Sequence, residues 1–243
     1  MPEDHFGEEV AANYDAGSPE MFDPAVVDPT VRFLAELAGD GSALELGIGT
    51  GRIALPLRRQ GVRVHGIDLS EAMVARLKAK PGAEDIGVTI GDFATTRVAG
   101  AFRLVYQVFN AIENLTTQAE QVACFCNAAA HLEASGCFVI EVEVPTLRRL
   151  PPGETFRAFT VTPTHLGIDE LDVVSQRGVS RHYMVFDGRF SIFSTPFRYV
   201  WPAELDLMAE MGGMTLVGRW GGWEREPFTA ESTRHVSVWQ KAS

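Results

Sequence analysis

The segment Leu44-Glu45-Leu46-Gly47-Ile48-Gly49-Thr50-Gly51-Arg52 runs an apolar stretch straight into three glycines at alternate positions. Glycine lets a chain turn sharply and lets a ligand lie against the backbone with no side chain between them. A loop of this kind at the carboxyl end of a first strand is where open α/β sheets bind ligands. Asp68 follows the apolar run Val62–Ile67 directly, 21 residues after Gly47. A carboxylate at the end of a second strand can accept hydrogen bonds from both hydroxyls of a ribose. Ser70 is placed to cap the helix that follows, which leaves Asp68 free for that task. Gly91-Asp92-Phe93 closes a third apolar run. There a carboxylate beside an aromatic suits the exocyclic amine and ring edge of an adenine, and equally suits a turn Asp next to a core Phe.

The glycine spacing narrows the nucleoside. Dinucleotide sites use G-x-G-x-x-G, which sets a pyrophosphate on a helix N-terminus. Here the spacing is G-x-G-x-G, Arg52 stands where the last glycine of that pattern would fall, and Glu45 precedes the loop. An acid ahead of such a loop fits a cofactor without a phosphate.

These residues need a scaffold, and the pattern of elements supplies one. The sequence predicts strands at Ala43–Leu46, Val62–Ile67, Val88–Ile90, Leu104–Phe109 and Cys137–Val144, with helices at Arg52–Gln60, Glu71–Lys80 and Gln118–Ala134. Thr117-Gln118-Ala119-Glu120 is a capping box for the last helix, with Val122, Phe125, Ala129 and Leu132 on its apolar face and Gly136 as its expected close. Alternating strands and helices imply a parallel sheet with crossover helices. Residues 1–40 read as a helical cap, with Asp23-Pro24 and Asp28-Pro29 as helix-opening signals. Residues 146–201 read as an antiparallel insertion, with strands Thr155–Thr162, Asp172–Gln176, Ser180–Phe186 and Phe190–Val200 and turns at Arg177-Gly178 and Asp187-Gly188. A helix Pro202–Gly212 and strands Thr215–Trp220 and His235–Gln240 return the chain to the core. The expected fold class is α/β: a Rossmann-like doubly wound sheet, mostly parallel, with an antiparallel β-meander insertion after the fifth strand. Residues 41–145 and 202–243 form its core. The insertion is a lid, an acceptor wall or a dimer contact.

Composition excludes several alternatives. The 243 residues carry 46% hydrophobic and 22% charged side chains, which is globular rather than disordered. The net charge of −11 repels phosphate backbones and argues against nucleic acid, and the basic pairs Arg58-Arg59 and Arg148-Arg149 read as solvated element ends. No apolar run is long enough for a transmembrane helix, and Met1-Pro2-Glu3-Asp4-His5 is acidic where a signal peptide is basic, so a cytoplasmic protein is expected. Cys124, Cys126 and Cys137 suit a reducing compartment, with Cys124-Phe125-Cys126 read as core packing. The histidines are scattered without metal-ligand spacing, so no metal is expected.

Taken together, Glu45–Gly51, Asp68, Asp92 and the strand Leu104–Phe109 resemble the class I S-adenosylmethionine-dependent methyltransferases, over roughly residues 35–145 and the C-terminal strands. The later half is similar in architecture to the small-molecule N-methyltransferases that act on amino sugars. The resemblance implies that Gly47, Ile48 and Gly49 carry the cofactor, S-adenosylmethionine, and that Asp68 binds its ribose. It places Leu69 and Met73 against the adenine, with Asp92 and Phe93 at the amino end. Val108 and Phe109 flank the sulfonium, Arg52 pairs with the methionine carboxylate, and Tyr14 closes over the cofactor; a surface Arg52 and a packing Tyr14 are the alternatives.

On the acceptor side the same resemblance points to Phe109-Asn110-Ala111-Ile112-Glu113-Asn114. Relatives often carry a histidine where Asn114 stands. Asn orients a substrate but takes no proton at neutral pH, so Glu113 serves as base or no base is used; Glu113 as a solvated loop residue is the blander reading. Asn110, Tyr183, Trp201, Trp220 and Trp223, with Tyr199, are expected to wall the acceptor pocket, against ordinary packing as the alternative. His165 and His182 are further candidate bases. The expected function is methyl transfer to N or O of a small molecule of the natural-product kind, with a homodimer as the expected assembly. The rivals are a nicotinamide-dependent oxidoreductase, which the glycine spacing disfavours, and a cofactor-binding scaffold without transfer.

Overall fold

A computed structural model describes residues 4–186 and 188–243. The opening Met1-Pro2-Glu3, Asp187 of the expected Asp-Gly turn and the side chain of Arg148 lie outside the described residues. Helices α1 (Glu8–Gly17) and α2 (Pro24–Ala38) lead into β1 (Ser42–Leu46), α3 (Ala54–Arg59), β2 (Arg63–Asp68), α4 (Glu71–Lys78), β3 (Gly87–Ile90), β4 (Phe102–Gln107), α5 (Gln118–His131) and β5 (Leu132–Glu143). Then come β6 (Phe156–Val161), β7 (His165–Asp172), β8 (Arg177–Phe186), β9 (Arg189–Arg198), α6 (Pro202–Met211), β10 (Met214–Trp220) and β11 (Arg234–Lys241).

The main sheet has the order β10-β11-β5-β4-β1-β2-β3, parallel from β5 to β3 and antiparallel at β11 and β10. Side chains alternate between two cores, as the pleat requires. Ala43, Leu104, Tyr106, Val139 and Val238 pack beneath α2 and α3. Leu44, Leu46, Val105, Phe138, Ile140 and Trp239 face α5 and α6. This is the doubly wound sheet expected from the sequence. The order reverses at β1, so the crevice beyond its carboxyl end is the topological switch point.

Several local expectations change. Helix α2 opens at Pro24, where the Asp23 carboxylate accepts the Ala25 amide at 2.8 Å; Pro29 lies inside the helix rather than opening one. The capping box at Thr117 and Glu120 is present, but α5 ends at His131. Gly136 sits inside β5: a Cβ there would lie 3.1 Å from the Arg103 carbonyl of the neighbouring strand, so close backbone approach explains the glycine. Of the expected strand Asp172–Gln176, only Asp172 is strand, as the end of β7; residues 173–176 form a turn, because the Asp172 carboxylate accepts the Val174 amide and the Ser175 hydroxyl. Arg177-Gly178 accordingly begins β8 instead of forming the turn. Cys124 is buried beside Gln107, whereas Cys126 is exposed.

The second sheet, β6-β7-β8-β9, is an antiparallel meander. It is pinned to the core by a buried network in which Arg198 pairs with Glu204 at 2.6 Å and with Gln121, and Gln176 bonds Glu204 at 3.0 Å. Among the described residues no helix is long and apolar enough to cross a membrane.

Candidate active site

Parallel pairing sets Leu46 level with Ile67, so the amides of Gly47 and Ile48 reach the Ile67 carbonyl at 2.8 and 3.2 Å as the chain leaves β1. Gly47 has φ +83° and Gly51 φ +80°, conformations that strain other residues. A Cβ on Gly51 would also lie 2.3 Å from Leu77. The Ile48 side chain turns down into the core against Gly66, so only its backbone faces the crevice. Asp68 closes the loop: Oδ2 accepts the Gly49 amide at 2.6 Å and Oδ1 the Ser70 amide at 2.9 Å. Ser70 caps α4 through the Met73 amide, as expected. Burial raises the Asp68 carboxyl, and these two amides pull it down.

Beneath the loop, Glu45 is buried and accepts from the Tyr106 hydroxyl at 2.9 Å. Burial pushes its pKa up to about 8, partly offset by that hydrogen bond and by Arg52. Arg52 donates to the Met21 carbonyl at 3.4 Å and lies 5.3 Å from the ring centre of Phe109. Tyr14 lines the same space, its hydroxyl raised by burial. The N-terminal segment is tied down by Ser70 Oγ donating to the Phe6 carbonyl at 2.7 Å. Asp15 adds a hydrogen bond from Thr50 at 2.6 Å and an ion pair with Lys80 at 2.5 Å.

All of this opens on one cavity of about 1260 Å³. Gly47, Gly49, Arg52, Asp68, Leu69, Met73, Asp92, Phe93 and Val108 line it, so the structure brings the expected cofactor set together. Asp92 also serves its own turn, accepting the Ala94 amide at 2.8 Å, as the turn reading of that residue expects. Phe109 and Asn110 leave β4 in left-handed conformations, φ +55° and +60°. For a bulky residue this is strained, and here the Phe109 amide donates to the Glu141 carboxylate at 3.1 Å and the Asn110 side chain accepts the Glu143 amide at 2.8 Å. The turn carries Asn110, Glu113 and Asn114 to the cavity.

The opposite wall is the inner face of the second sheet. Asp169, Ser180, His182, Phe193, Thr195 and Phe197 project there at alternate positions. Glu113 is therefore no solvated loop residue. Burial, Glu143 and Asp169 all push its carboxyl well above the usual range. Asp169 is raised by burial and Glu143 but held down by the Ser180 hydroxyl at 2.7 Å. Among the described residues, Glu113, Glu143 and Asp169 form no ion pair.

The aromatic candidates separate by register. Tyr199 lines the cavity. Tyr183, one residue out of phase with His182, points to the other face and stacks on Phe190. Trp220 and Trp223 pack edge-on against Phe33 at 5.6 and 5.4 Å, under α2, and Trp201 is 40% exposed at the start of α6; none of the three lines the cavity. The residues missed from the sequence are Asp169, Glu143 and the Phe193–Phe197 face; the period-2 alternation of β8 and β9 carries the signal that finds the last.

The cradle fits an adenosine better than a phosphate. The Gly49 amide, which a pyrophosphate site would present to its ligand, is taken by Asp68. That carboxylate keeps acceptor capacity beyond its two amides, next to apolar Leu69, Met73 and Phe93. Residues 43–136 match the methyltransferase domain family. The chain is 26% identical over 242 residues to the cypemycin N-terminal methyltransferase of a Streptomyces species, covering 94% of this chain and 97% of that one. The CcbJ methyltransferase from Streptomyces caelestis superposes with a TM-score of 0.86 at 34% identity, over 99% of this chain and 100% of that one. S-adenosylmethionine-bound CalS10, an amino pentose methyltransferase from Micromonospora echinaspora, shares the fold: TM-score 0.69, 20% identity, 94% and 96% of the two chains. A phosphate-free nucleoside cradle at the switch point and likeness over the full length to a solved methyltransferase lead to one assignment: the chain belongs to the class I S-adenosylmethionine-dependent methyltransferases.

Proposed function

We propose that the enzyme transfers a methyl group to the amine nitrogen of a small natural-product intermediate. The observation that carries this reading is the set of carboxylates Glu113, Glu143 and Asp169 at the acceptor end of the cavity, without an ion pair among the described residues. Unpaired acids, of which Glu113 and Asp169 are raised by burial, favour a cationic partner over a neutral hydroxyl or an anionic carboxylate. A relative named as an N-terminal methyltransferase supports nitrogen over oxygen.

S-adenosylmethionine supplies an electrophilic methyl group. The chain's residues bind, orient and exclude water. Asp68 takes the ribose hydroxyls, the backbone of Gly47–Gly49 lies along the cofactor, and Leu69, Met73, Asp92 and Phe93 hold the adenine. Arg52 and Tyr14 close the methionine end, and Val108 borders the reacting centre. Asn110 and Asn114 orient the acceptor and Glu113 holds its nitrogen. The β6–β9 sheet is the acceptor wall, residues 4–40 the cap, and the main sheet the cofactor domain. Alignment in such a site is worth up to about 7–11 kcal/mol.

The test is a thermal-shift and calorimetric comparison of S-adenosylhomocysteine with NADH, followed by an acceptor panel read by a one-methyl mass gain. The panel holds amino sugars, short peptides with free N-termini, and hydroxyl analogues of each. Methylation confined to amines is expected. Turnover of the hydroxyl analogues alone would move the reading to oxygen.

A further inference from the structure

His165 and His182 lie on neighbouring strands of the second sheet, two register steps apart, and both line the cavity. Their rings stack with centres 5.1 Å apart, and Nε2 of His165 meets Nδ1 of His182 at 3.0 Å. One of these nitrogens must therefore donate and the other accept. The outer nitrogens, Nδ1 of His165 and Nε2 of His182, hydrogen-bond to no protein group among the described residues. His182 is the inner member, next to Phe193 at 5.8 Å; His165 follows the exposed Thr162–Thr164 turn. Phe159 flanks both rings.

We propose that His182 and His165 form a one-proton relay that carries the proton lost by the acceptor amine from the cavity to solvent. The proposal rests on the amine reading above. An amine bound as the ammonium must lose one proton before its lone pair can attack. In the resting pair each ring carries its proton on Nδ1, so that His182 donates to Nε2 of His165. The acceptor's N–H bond breaks as an N–H bond forms at Nε2 of His182. The Nδ1 proton of His182 passes to Nε2 of His165, and the Nδ1 proton of His165 leaves to water. Two neutral imidazoles remain in the opposite tautomers, with one proton released. Once the product has left, water takes the proton from Nε2 of His182, Nε2 of His165 returns its proton to Nδ1 of His182, and Nδ1 of His165 regains one from water, which restores the resting pair.

Glu113 is the competing acceptor, but it has no hydrogen-bonded partner among the described residues to pass a proton on. Its role is to hold the nitrogen while the relay removes the proton. The charged and titratable groups on the surrounding elements are Arg157 on β6, level with Asp169 on β7, Arg189 at the start of β9, Glu113 and Glu143 across the cavity, and Asp4 and His5 from the N-terminal segment. Burial and the neighbouring His165 hold His182 below the usual imidazole range, which keeps His182 neutral and able to accept at pH 7.

The test uses full-length enzyme, S-adenosylmethionine and whichever amine of the acceptor panel is methylated. In His182→Gln, kcat falls about 100-fold at neutral pH, the scale of general-base catalysis. The rate recovers as pH approaches the acceptor's own pKa, because free amine then arrives unaided. His165→Gln shows the same profile with a smaller loss, and S-adenosylhomocysteine affinity is unchanged in both. A kcat loss equal at every pH, or none, overturns the relay while leaving the amine reading intact. If no amine is methylated, both fall. Independently of any acceptor, nitrogen NMR of the wild-type S-adenosylhomocysteine complex is expected to find neutral His182 protonated on Nδ1. A neutral His182 protonated on Nε2 overturns the relay.

Discussion

The Asp68 carboxylate reaches across from β2 to accept the Gly49 amide at 2.6 Å, so the acid that faces the cavity also fixes the shape of the glycine loop on the neighbouring strand. Loop and acid are one device: the loop cannot relax toward a phosphate-binding shape while the carboxylate holds that amide.

Asp68→Asn separates the two tasks only in part. The amide side chain keeps a single acceptor oxygen for the amides of Gly49 and Ser70 and turns a donor toward one of them. S-adenosylhomocysteine affinity, measured by calorimetry, is expected to fall by about 1–3 kcal/mol, the scale of hydrogen bonds to a charged group. Unchanged affinity would remove Asp68 from the binding role.

Glu45 predicts a pH dependence. Its carboxyl rises from the ordinary 4.5 to about 8, chiefly through burial. Between those values the folded protein holds a proton that the unfolded chain has released. Stability from this group is therefore present below about pH 4.5 and declines as pH climbs to about 8. Glu45→Gln has no such proton to lose. In the cofactor-free protein, the melting temperature of the variant relative to wild type should increase steadily across that window. A constant offset would mean that Glu45 is ionised throughout.

The parallel core was legible because each strand is a short apolar run ending in a residue that does chemistry: Leu46 before Gly47, Ile67 before Asp68, Ile90 before Gly91. Parallel pairing then delivers those ends to one edge without further information. The acceptor side was less legible because its residues depend on register in an insertion. Tyr183 and Tyr199 look alike in the sequence; only the phase of β8 and β9 sends one outward and the other into the cavity. Asp172–Gln176 reads as a strand but is mostly the turn after β7, and β7 itself, His165–Asp172, is not among the strands expected from the sequence. Glu143 and Asp169 gave no signal alone, since acids on strands are ordinary and their juxtaposition arises from two different sheets. The tryptophans are alike in type, whereas Phe33, far upstream, decides where Trp220 and Trp223 pack.

Arg198 is the hinge pin between the two sheets. Its side chain is 5% exposed and pairs with Glu204, which Gln118 and Gln176 also bond. Arg198→Met leaves a largely buried carboxylate without its cation, a loss of about 3–5 kcal/mol in comparable pairs. A large drop in melting temperature is expected, together with faster amide hydrogen exchange in β8 and β9. A variant as stable as wild type would show that the amides of Gln118 and Gln176 suffice to hold Glu204.

Trp220 tests whether the acceptor pocket is drawn correctly. It packs against Phe33 and lies beneath the Arg225 guanidinium, whose carbon is 5.9 Å from the Trp220 ring centre and 4.8 Å from that of Phe33. Trp220→Leu removes the edge-on contact and the cation–π partner of a residue that does not itself line the cavity, so it should cost about 1–2 kcal/mol of stability. At a temperature where the variant is fully folded, kcat/KM for the methylated amine should match wild type. A fall in kcat/KM with S-adenosylmethionine affinity intact would return Trp220 to the acceptor wall and place the pocket on the α2 side of the main sheet instead of against the meander.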